Sequence, residues 1–388
     1  TRTGDDFIVY AGTSAENKFG YYGLWVATFS DAIGDTSGGY WQGVNGLSRK
    51  TRNPALKYLI YDISMDSDGN LYASTGGGLY YIPRYGSGEE AVPLSGNQPD
   101  IPLVAIETAK INDRNHIFAA TTLGVYDILL VYNNKTSIES CDLLIYTQQK
   151  YRVWETRDGE VEDGKDASGT TIMKPYTEYA FSNTEQDNPI QSFVRSLRYD
   201  SLNRSLYFGT SSSQVFHCPS LHPNIVIHST APVFRGSSGI ATDPISPVYE
   251  YPDLSYPNSG SVSAVPLALA LDVINTNTIW AATTNGVARS IDYGRNWTSY
   301  SFSGGVTTNC KCILVDPNNT INVMSGSEDG LYRSTDGGSS WTRIKSGLGN
   351  FKTVTSLTQA SGAAGQRRKV WVGTSGGVFI GKQSLSLE

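Results

Sequence analysis

Short apolar runs alternate with turns rich in Asp, Asn, Gly and Ser along almost the whole chain, and they do so in a repeating order. One unit recurs: an apolar strand, a polar turn, a second apolar strand ending in small residues, then glycine and a third strand. It reads LIYDISMDSDGNLYASTGGGLYYI from Leu59, VAIETAKINDRNHIFAATTLGVYDI from Val104 and VRSLRYDSLNRSLYFGTSSSQVFHC from Val194. Further copies begin at Leu267, Cys312 and Thr353, and a partial copy opens the chain with FIVYAGT from Phe7 and GLWVATFS from Gly23. The second strand of each unit is apolar on both faces, the pattern of a sheet packed between two neighbours.

The glycines that open the third strand set the period: 46 residues from Gly78 to Gly124, 44 from Gly286 to Gly330 and 47 from Gly330 to Gly377. A period of about 45 is the length of a four-stranded propeller blade. The expected fold is therefore all-β, a seven-bladed β-propeller of four-stranded antiparallel blades, built as one domain over residues 1–388. Two stretches exceed the repeat, 133–192 and 219–264, and are expected insertions. Gly124 to Gln214 is 90 residues, twice the period, so an eighth blade containing CDLLIYTQQKYRVW is the alternative. The opening copy lacks a first strand, which predicts that the two termini share one blade and close the ring.

Composition supports this frame and narrows the partners. Charged residues are only 17%, with 40 Gly and 24 Tyr, as suits many short strands and tight turns. A net charge of −6 argues against nucleic acid as partner. The run Arg367-Arg368-Lys369 fits a solvated hairpin tip. No apolar run approaches the ~20 residues of a membrane span, so no membrane insertion is expected. The chain opens at Thr1 without a signal-peptide pattern and reads as a mature or trimmed product. Its four Asn-x-Ser/Thr acceptors, Asn134, Asn203, Asn296 and Asn318, carry meaning only in a eukaryotic secretory pathway. Four cysteines are too few for a disulfide framework. Cys310 and Cys312, two apart on one strand, are expected to share a face as small buried hydrophobes; a Cys141–Cys218 bridge has no support.

Asp66-Ser67-Asp68-Gly69-Asn70 and Asp316-Pro317-Asn318-Asn319 are turn formers. The first also opens like a calcium loop, but no acidic ligand follows at the required distance, so the turn is favoured and no metal or cofactor is expected. His217, Cys218 and His222 cluster without the partner pair of a zinc site, and strand-end packing is the expectation.

Two units continue into Ser290-Ile291-Asp292-Tyr293-Gly294-Arg295-Asn296-Trp297 and Ser334-Thr335-Asp336-Gly337-Gly338-Ser339-Ser340-Trp341. Both fit Ser-x-Asp-x-Gly-x-x-Trp, which resembles the Asp box of the BNR-repeat propellers; Gly38-Gly39-Tyr40-Trp41 is a looser echo. The resemblance implies a hairpin between the third and fourth strands at the outer margin of a blade. It makes Ser290, Asp292, Gly294, Trp297, Ser334, Asp336, Gly338 and Trp341 structural residues rather than catalytic ones.

Asp-box propellers include sialidases, xyloglucan-degrading hydrolases, polysaccharide lyases, sorting-receptor ectodomains and photosystem-assembly factors, so this likeness does not decide function. A sialidase needs an Arg-Ile-Pro segment near the start, and the nearest string here is Tyr81-Ile82-Pro83-Arg84, in the wrong order. An assembly factor for a membrane complex would need a strong basic patch, which is missing. A glycoside hydrolase needs paired carboxylates beside aromatic platforms. The insertions supply both types: Trp154, Glu155, Asp158, Glu160, Tyr176 and Tyr179 in the first, Tyr249, Glu250, Tyr251 and Asp253 in the second. These are the candidate ligand-facing residues, although Asp158 to Asp166 also reads as a solvated acidic loop. No catalytic constellation stands out. The expected function is a secreted, cell-surface or periplasmic binding module for a glycan or protein; a polysaccharide-active hydrolase is the alternative.

Overall fold

The computed structural model describes residues 2–3, 6–13, 21–30, 40–50, 58–84, 90–146, 150–151, 154–165, 168–181, 186–187, 193–218, 264–302, 305, 308–344, 347–348, 353–359 and 369–382. Blade 1 holds β1 (Arg2–Thr3), β2 (Asp6–Thr13), β3 (Tyr21–Ser30) and β4 (Gln42–Lys50). Blade 2 holds β5 (Ile60–Met65), β6 (Leu71–Thr75), β7 (Gly78–Ile82) and β8 (Val92–Pro93). Blade 3 holds β9 (Ala105–Ile111), β10 (Arg114–Ala120), β11 (Gly124–Leu130) and β12 (Ile138–Tyr146). An excursion follows through β13 (Lys150–Tyr151), β14 (Trp154–Lys165), β15 (Thr171–Phe181) and β16 (Gln186–Asp187). Blade 4 has β17 (Val194–Asp200), β18 (Ser205–Thr210) and β19 (Val215–Cys218). Blade 5 has β20 (Pro266–Leu271), β21 (Ile279–Thr283), β22 (Gly286–Ser290) and β23 (Thr298–Tyr300). Blade 6 has β24 (Cys310–Val315), β25 (Val323–Ser327), β26 (Leu331–Ser334) and β27 (Thr342–Ile344), and blade 7 has β28 (Val354–Gln359), β29 (Lys369–Thr374) and β30 (Gly377–Lys382).

The seven-bladed ring is as the repeat predicts, with antiparallel blades of four strands, or of three in blades 4 and 7 among the described residues. CDLLIY is the outer strand of blade 3. Among the described residues the excursion beyond it forms two-stranded pairs, β13 with β16 and β14 with β15. It is an arm and not an eighth blade. The termini also differ from expectation. Among the described residues β1–β4 build one sheet and β28–β30 another, so the two ends share no blade there.

Closure comes from side chains. Seven apolar clusters hold the ring together, each made by two neighbouring blades. The last joins blade 7 to blade 1 through Trp371, Phe7, Val9, Ala27 and Phe29, with Trp41 packed against them. Lys369, expected on a solvated tip, is instead buried there, its ammonium 5.4 Å from the centre of the Phe7 ring.

One hydroxyl per blade closes the turn between the second and third strands. Thr13, Thr75, Thr121, Thr210, Thr283, Ser327 and Thr374 each donate to a carbonyl at the start of the next strand. Six of those carbonyls belong to glycines with positive φ, and Gln214 replaces the glycine in blade 4. The Thr121 hydroxyl is fully buried and also accepts the N–H groups of Leu123 and Gly124. Thr121→Val orphans those donors, and chemical denaturation should record a loss of about 1–3 kcal/mol.

In five blades the innermost strand carries a one-residue bulge at the same register, at Tyr61, Arg195, Leu267, Lys311 and Thr355. A bulge reverses the alternation of side chains beyond it. Cys310 and Cys312 therefore do not share a face: Cys310 packs toward blade 5 and Cys312 toward blade 7. Both are buried, as expected, and burial pushes their thiols up to about 11 and about 12. The Cys141 thiol is free.

Each blade is an up-and-down meander. The first–second and third–fourth turns therefore emerge on one face of the ring, here the lower. The second–third turns and the links between blades lie on the upper face.

Candidate functional site

The innermost strands enclose an axial cavity of about 950 Å³. Among the described residues blade 1 has the two-residue β1 in the innermost place, and β2 lines the cavity there with Phe7, Ile8, Val9 and Tyr10. The bulged residues Tyr61, Arg195, Leu267, Lys311 and Thr355 stand at the upper mouth. Two positions further along, Ile63, Ile106, Leu197, Leu269, Ile313 and Leu357 form an aliphatic collar. Arg195 is exposed and has no ion-pair partner among the described residues. Lys311 pairs with Glu328 at 2.9 Å.

Three blades contribute a polar cluster to the wall. The Asp62 carboxylate on β5 accepts the backbone N–H groups of Ile63 and, from the open edge of β9, Ile106, both at 2.9 Å. Ser64 repeats the device one step along by accepting from Thr108 N–H. Beside Asp62, Arg198 of β17 bonds both oxygens of Glu107 of β9, at 3.0 and 3.3 Å. Burial pushes the Asp62 carboxyl up to about 6, with the Glu107 charge adding to it; the two backbone N–H groups and Arg198 pull the other way. Asp62 is half-buried and keeps part of its surface on the lumen. The Glu107 charge raises the Arg198 guanidinium above its usual value.

These residues were absent from the sequence expectations. The available signal was the presence of charged residues within the first strands, as in YDISM, IETAK and RSLRY. The residues expected to face a ligand are not brought together with this cluster. Trp154, Glu155, Asp158 and Glu160 lie on β14, and Tyr176 and Tyr179 on β15, where Glu155 pairs with Ala180 and Asp158 with Thr177. The arm lies in the link from blade 3 to blade 4 and is rooted on the upper face. Tyr249, Glu250, Tyr251 and Asp253 lie outside the described residues.

On the lower face, the two Ser-x-Asp-x-Gly-x-x-Trp turns use the same atoms in blades 5 and 6, between the third and fourth strands. Ser290 Oγ donates to Asp292 at 2.8 Å and accepts Gly294 N–H, while Asn296 donates its backbone N–H and its amide to the same carboxylate. Ser334, Asp336, Gly338 and Ser340 repeat the pattern. Hydrogen bonds from Ser340 and Ser334 hold the Asp336 carboxyl at about 2. Burial opposes ionisation of Asp292, but the bonds from Asn296 and Ser290 outweigh it and lower its pKa. Trp297 donates to Gly294 C=O, and Trp341 is buried edge-on against Trp280 and Phe302.

Asp200, Asp272 and Asp316 anchor the first–second turns in blades 4 to 6 by accepting backbone N–H groups. In blade 2 the calcium-like turn is filled from within the protein: the Lys135 ammonium lies 2.8 Å from Asp66 and 2.6 Å from Asp68. His217 packs at its strand end, stacked on Tyr207 at 4.3 Å with Tyr293 beyond it at 6.1 Å. Burial drops its pKa to about 4. No three metal-ligating side chains are grouped among the described residues, and no helix there is long and apolar enough to cross a membrane.

The sequence matches no protein-family model and no curated protein. Among solved structures, an ancestral GH74 enzyme is similar at 14% identity and a TM-score of 0.51, over 84% of this chain and 37% of that one. The WD40 propeller domain of Doa1 is similar at 11% identity and a TM-score of 0.50, over 97% and 98% of the two chains. The chain thus spans little more than a third of the GH74 enzyme's length, and at these identities the likeness shows the fold alone: the protein is a β-propeller.

Proposed function

We propose that this chain is an Asp-box propeller that serves as a binding module, secreted, on the cell surface or periplasmic, and that it recognises a glycan or protein through its upper face. The observation that carries this reading is where the chain departs from its repeat. The apolar seams and hydroxyl-closed turns recur in every blade, whereas the β14–β15 arm is a long addition rooted on the face where the cavity mouth presents Tyr61, Arg195 and Lys311. Additions to a rigid repeat scaffold commonly carry its recognition surface. The arm residues Trp154, Glu155, Asp158, Glu160, Tyr176 and Tyr179 are the proposed ligand contacts, and the Asp-box residues are proposed to brace the fold.

A hydrolase is the second reading, favoured by Asp62 and Glu107. They are two carboxylates on one cavity wall, one raised to about 6 and the other held by an arginine. Separated carboxyl environments of this kind suit an acid–base pair. A glycan array run beside a hydrolysis screen on plant and microbial polysaccharides tests both. Binding without turnover supports the module. Turnover abolished by Asp62→Asn or Glu107→Gln would replace it with the hydrolase, and neither binding nor turnover would remove the glycan ligand.

A further inference from the structure

Six of the seven blades place a full strand on the axis, six or seven residues long in each. Blade 1 differs among the described residues: its β1 spans two residues and pairs with Asp6 and Phe7 at the lower end of β2. Above that pair the inner edge of β2 meets the cavity, which Val9 and Tyr10 line. The other blades show which groups lie on such an edge. In blade 3 Ala120, one residue before the hydroxyl of Thr121, accepts Val104 N–H from the inner side through its carbonyl. Gly12 stands in the same place before Thr13. Gly12 and, two residues earlier, Tyr10 therefore turn their N–H and C=O groups toward the axis.

The walls beside this edge repeat the groups of a filled seam. Between blades 2 and 3, Asp62 and Ser64 of β5 accept the N–H groups of Ile106 and Thr108 from the next inner strand. Ser356 and Thr358 hold those two positions on β28, paired with Gly373 and Trp371 as Asp62 and Ser64 are with Ser74 and Tyr72. By the same alternation they point to blade 1. Both are exposed, and neither hydroxyl has a hydrogen-bond partner among the described residues. In the other five inner strands every residue of these two rows is buried or half-buried. On the opposite wall Ile63 of the collar is half-buried, whereas Ile106, Leu197, Leu269 and Ile313 are buried. The slot thus offers backbone donors and acceptors on its floor and hydroxyl acceptors on one wall. Another backbone strand is the partner that satisfies both.

We propose that this slot binds an extended peptide segment of a partner protein, which adds to β2 as the seventh inner strand. It runs antiparallel to β2, from the upper mouth down to β1, in the direction of the other six inner strands. Its chemistry follows from those six. Each has Ile or Leu at the collar position, and the residue before it is short: Asp62, Ala105, Ser196, Ala268, Cys312 and Ser356. A matching segment carries a short side chain and then Ile or Leu. Proline is excluded at the second place, because the N–H there is the group that Ser356 accepts. Main-chain pairing supplies affinity, and the one aliphatic side chain supplies selection. The site lies inside the ring, apart from the β14–β15 arm, and does not depend on what the arm binds.

Isothermal titration calorimetry of the full chain with the acetylated, amidated hexapeptide VTSLTQ, the sequence of β28, tests the proposal. One peptide is expected to bind per chain, with a dissociation constant of about 10 µM to 1 mM. The peptide VTSPTQ lacks the N–H at the collar position and is expected to bind at least about tenfold more weakly, as is VTSDTQ, which would bury a charge there. Ser356→Ala with Thr358→Val is expected to weaken VTSLTQ about fivefold. The melting temperature of the free variant should match the wild type, because neither hydroxyl is bonded there. Amide hydrogen exchange locates the site: Tyr10 and Gly12 are expected to exchange fast in the free chain and slowly with peptide bound. Three results overturn the proposal. They are no saturation up to about 5 mM, binding indifferent to both the proline peptide and the double substitution, and Tyr10 and Gly12 amides already protected in the free chain.

Discussion

Trp371→Ala is expected to lower the free energy of unfolding by about 3–5 kcal/mol, the usual cost of emptying a buried tryptophan site. Trp371 is 3% exposed and sits where the two ends of the chain meet, 5.3 Å from the Phe7 ring and 6.2 Å from the Phe29 ring. The cost is mainly lost burial and ring contact, since the indole N–H finds no acceptor among the described residues. Among the described residues no strand pairing crosses this seam, which is held by side-chain packing. Trp371→Phe keeps a ring there and should cost less than half as much. Urea unfolding followed by tryptophan fluorescence and circular dichroism reads both. A loss below about 1 kcal/mol for the alanine variant would mean that the seam is not where the ring closes.

The second large effect is a pH dependence centred on Asp62. Its carboxyl stands at about 6 in the folded chain, against about 3.9 in an unfolded one. The folded state therefore holds this proton more tightly, and the stabilisation is complete below the unfolded value and lost as pH rises through the folded one. Two units of pKa correspond to roughly 3 kcal/mol. Depressed carboxyls such as Asp336 act in the opposite direction, so the quantity to measure is the stability of the wild type minus that of Asp62→Asn. Asparagine stays uncharged throughout, and its mismatch with one of the two backbone N–H groups adds a penalty that does not vary with pH. The difference should grow in favour of the wild type between pH 7 and pH 4. A flat difference would mean that Asp62 ionises normally, and the acid–base reading of the cavity would lose its acid.

What the residues disclosed on their own, and what they withheld, follows from the range of the forces involved. The blade period, the glycines of the third strand and the Asp-anchored turns were legible because each is decided within a few positions, as at Asp272 with Ile274 and Asn275. The bulges were not. They leave no compositional trace, and the one between Cys310 and Cys312 inverted a face assignment that simple alternation had made. The cavity cluster was hidden for a different reason: Asp62 meets Ile106 across 44 positions, and Arg198 meets Glu107 across 91. Only the packing of each blade on the next makes such residues neighbours. Lys369 shows the same limit, since a lysine next to two arginines looks solvated until Phe7, from the other end of the chain, supplies a surface for it.

The ammonium in the Asp66–Asp68 turn has a consequence for the surroundings in which the protein keeps its shape. A loop that borrows a calcium ion is ordered only while the free ion exceeds its dissociation constant, and a chelator undoes it. Here the counter-ion is covalently tethered, so its effective local concentration is set by the chain connecting it, at millimolar or above. It cannot be diluted, and no chelator can remove it. The lower edge of blade 2 is therefore expected to keep its order whether the external calcium level is high or low, and blade 3, which carries Lys135, is fastened to it by the same bond.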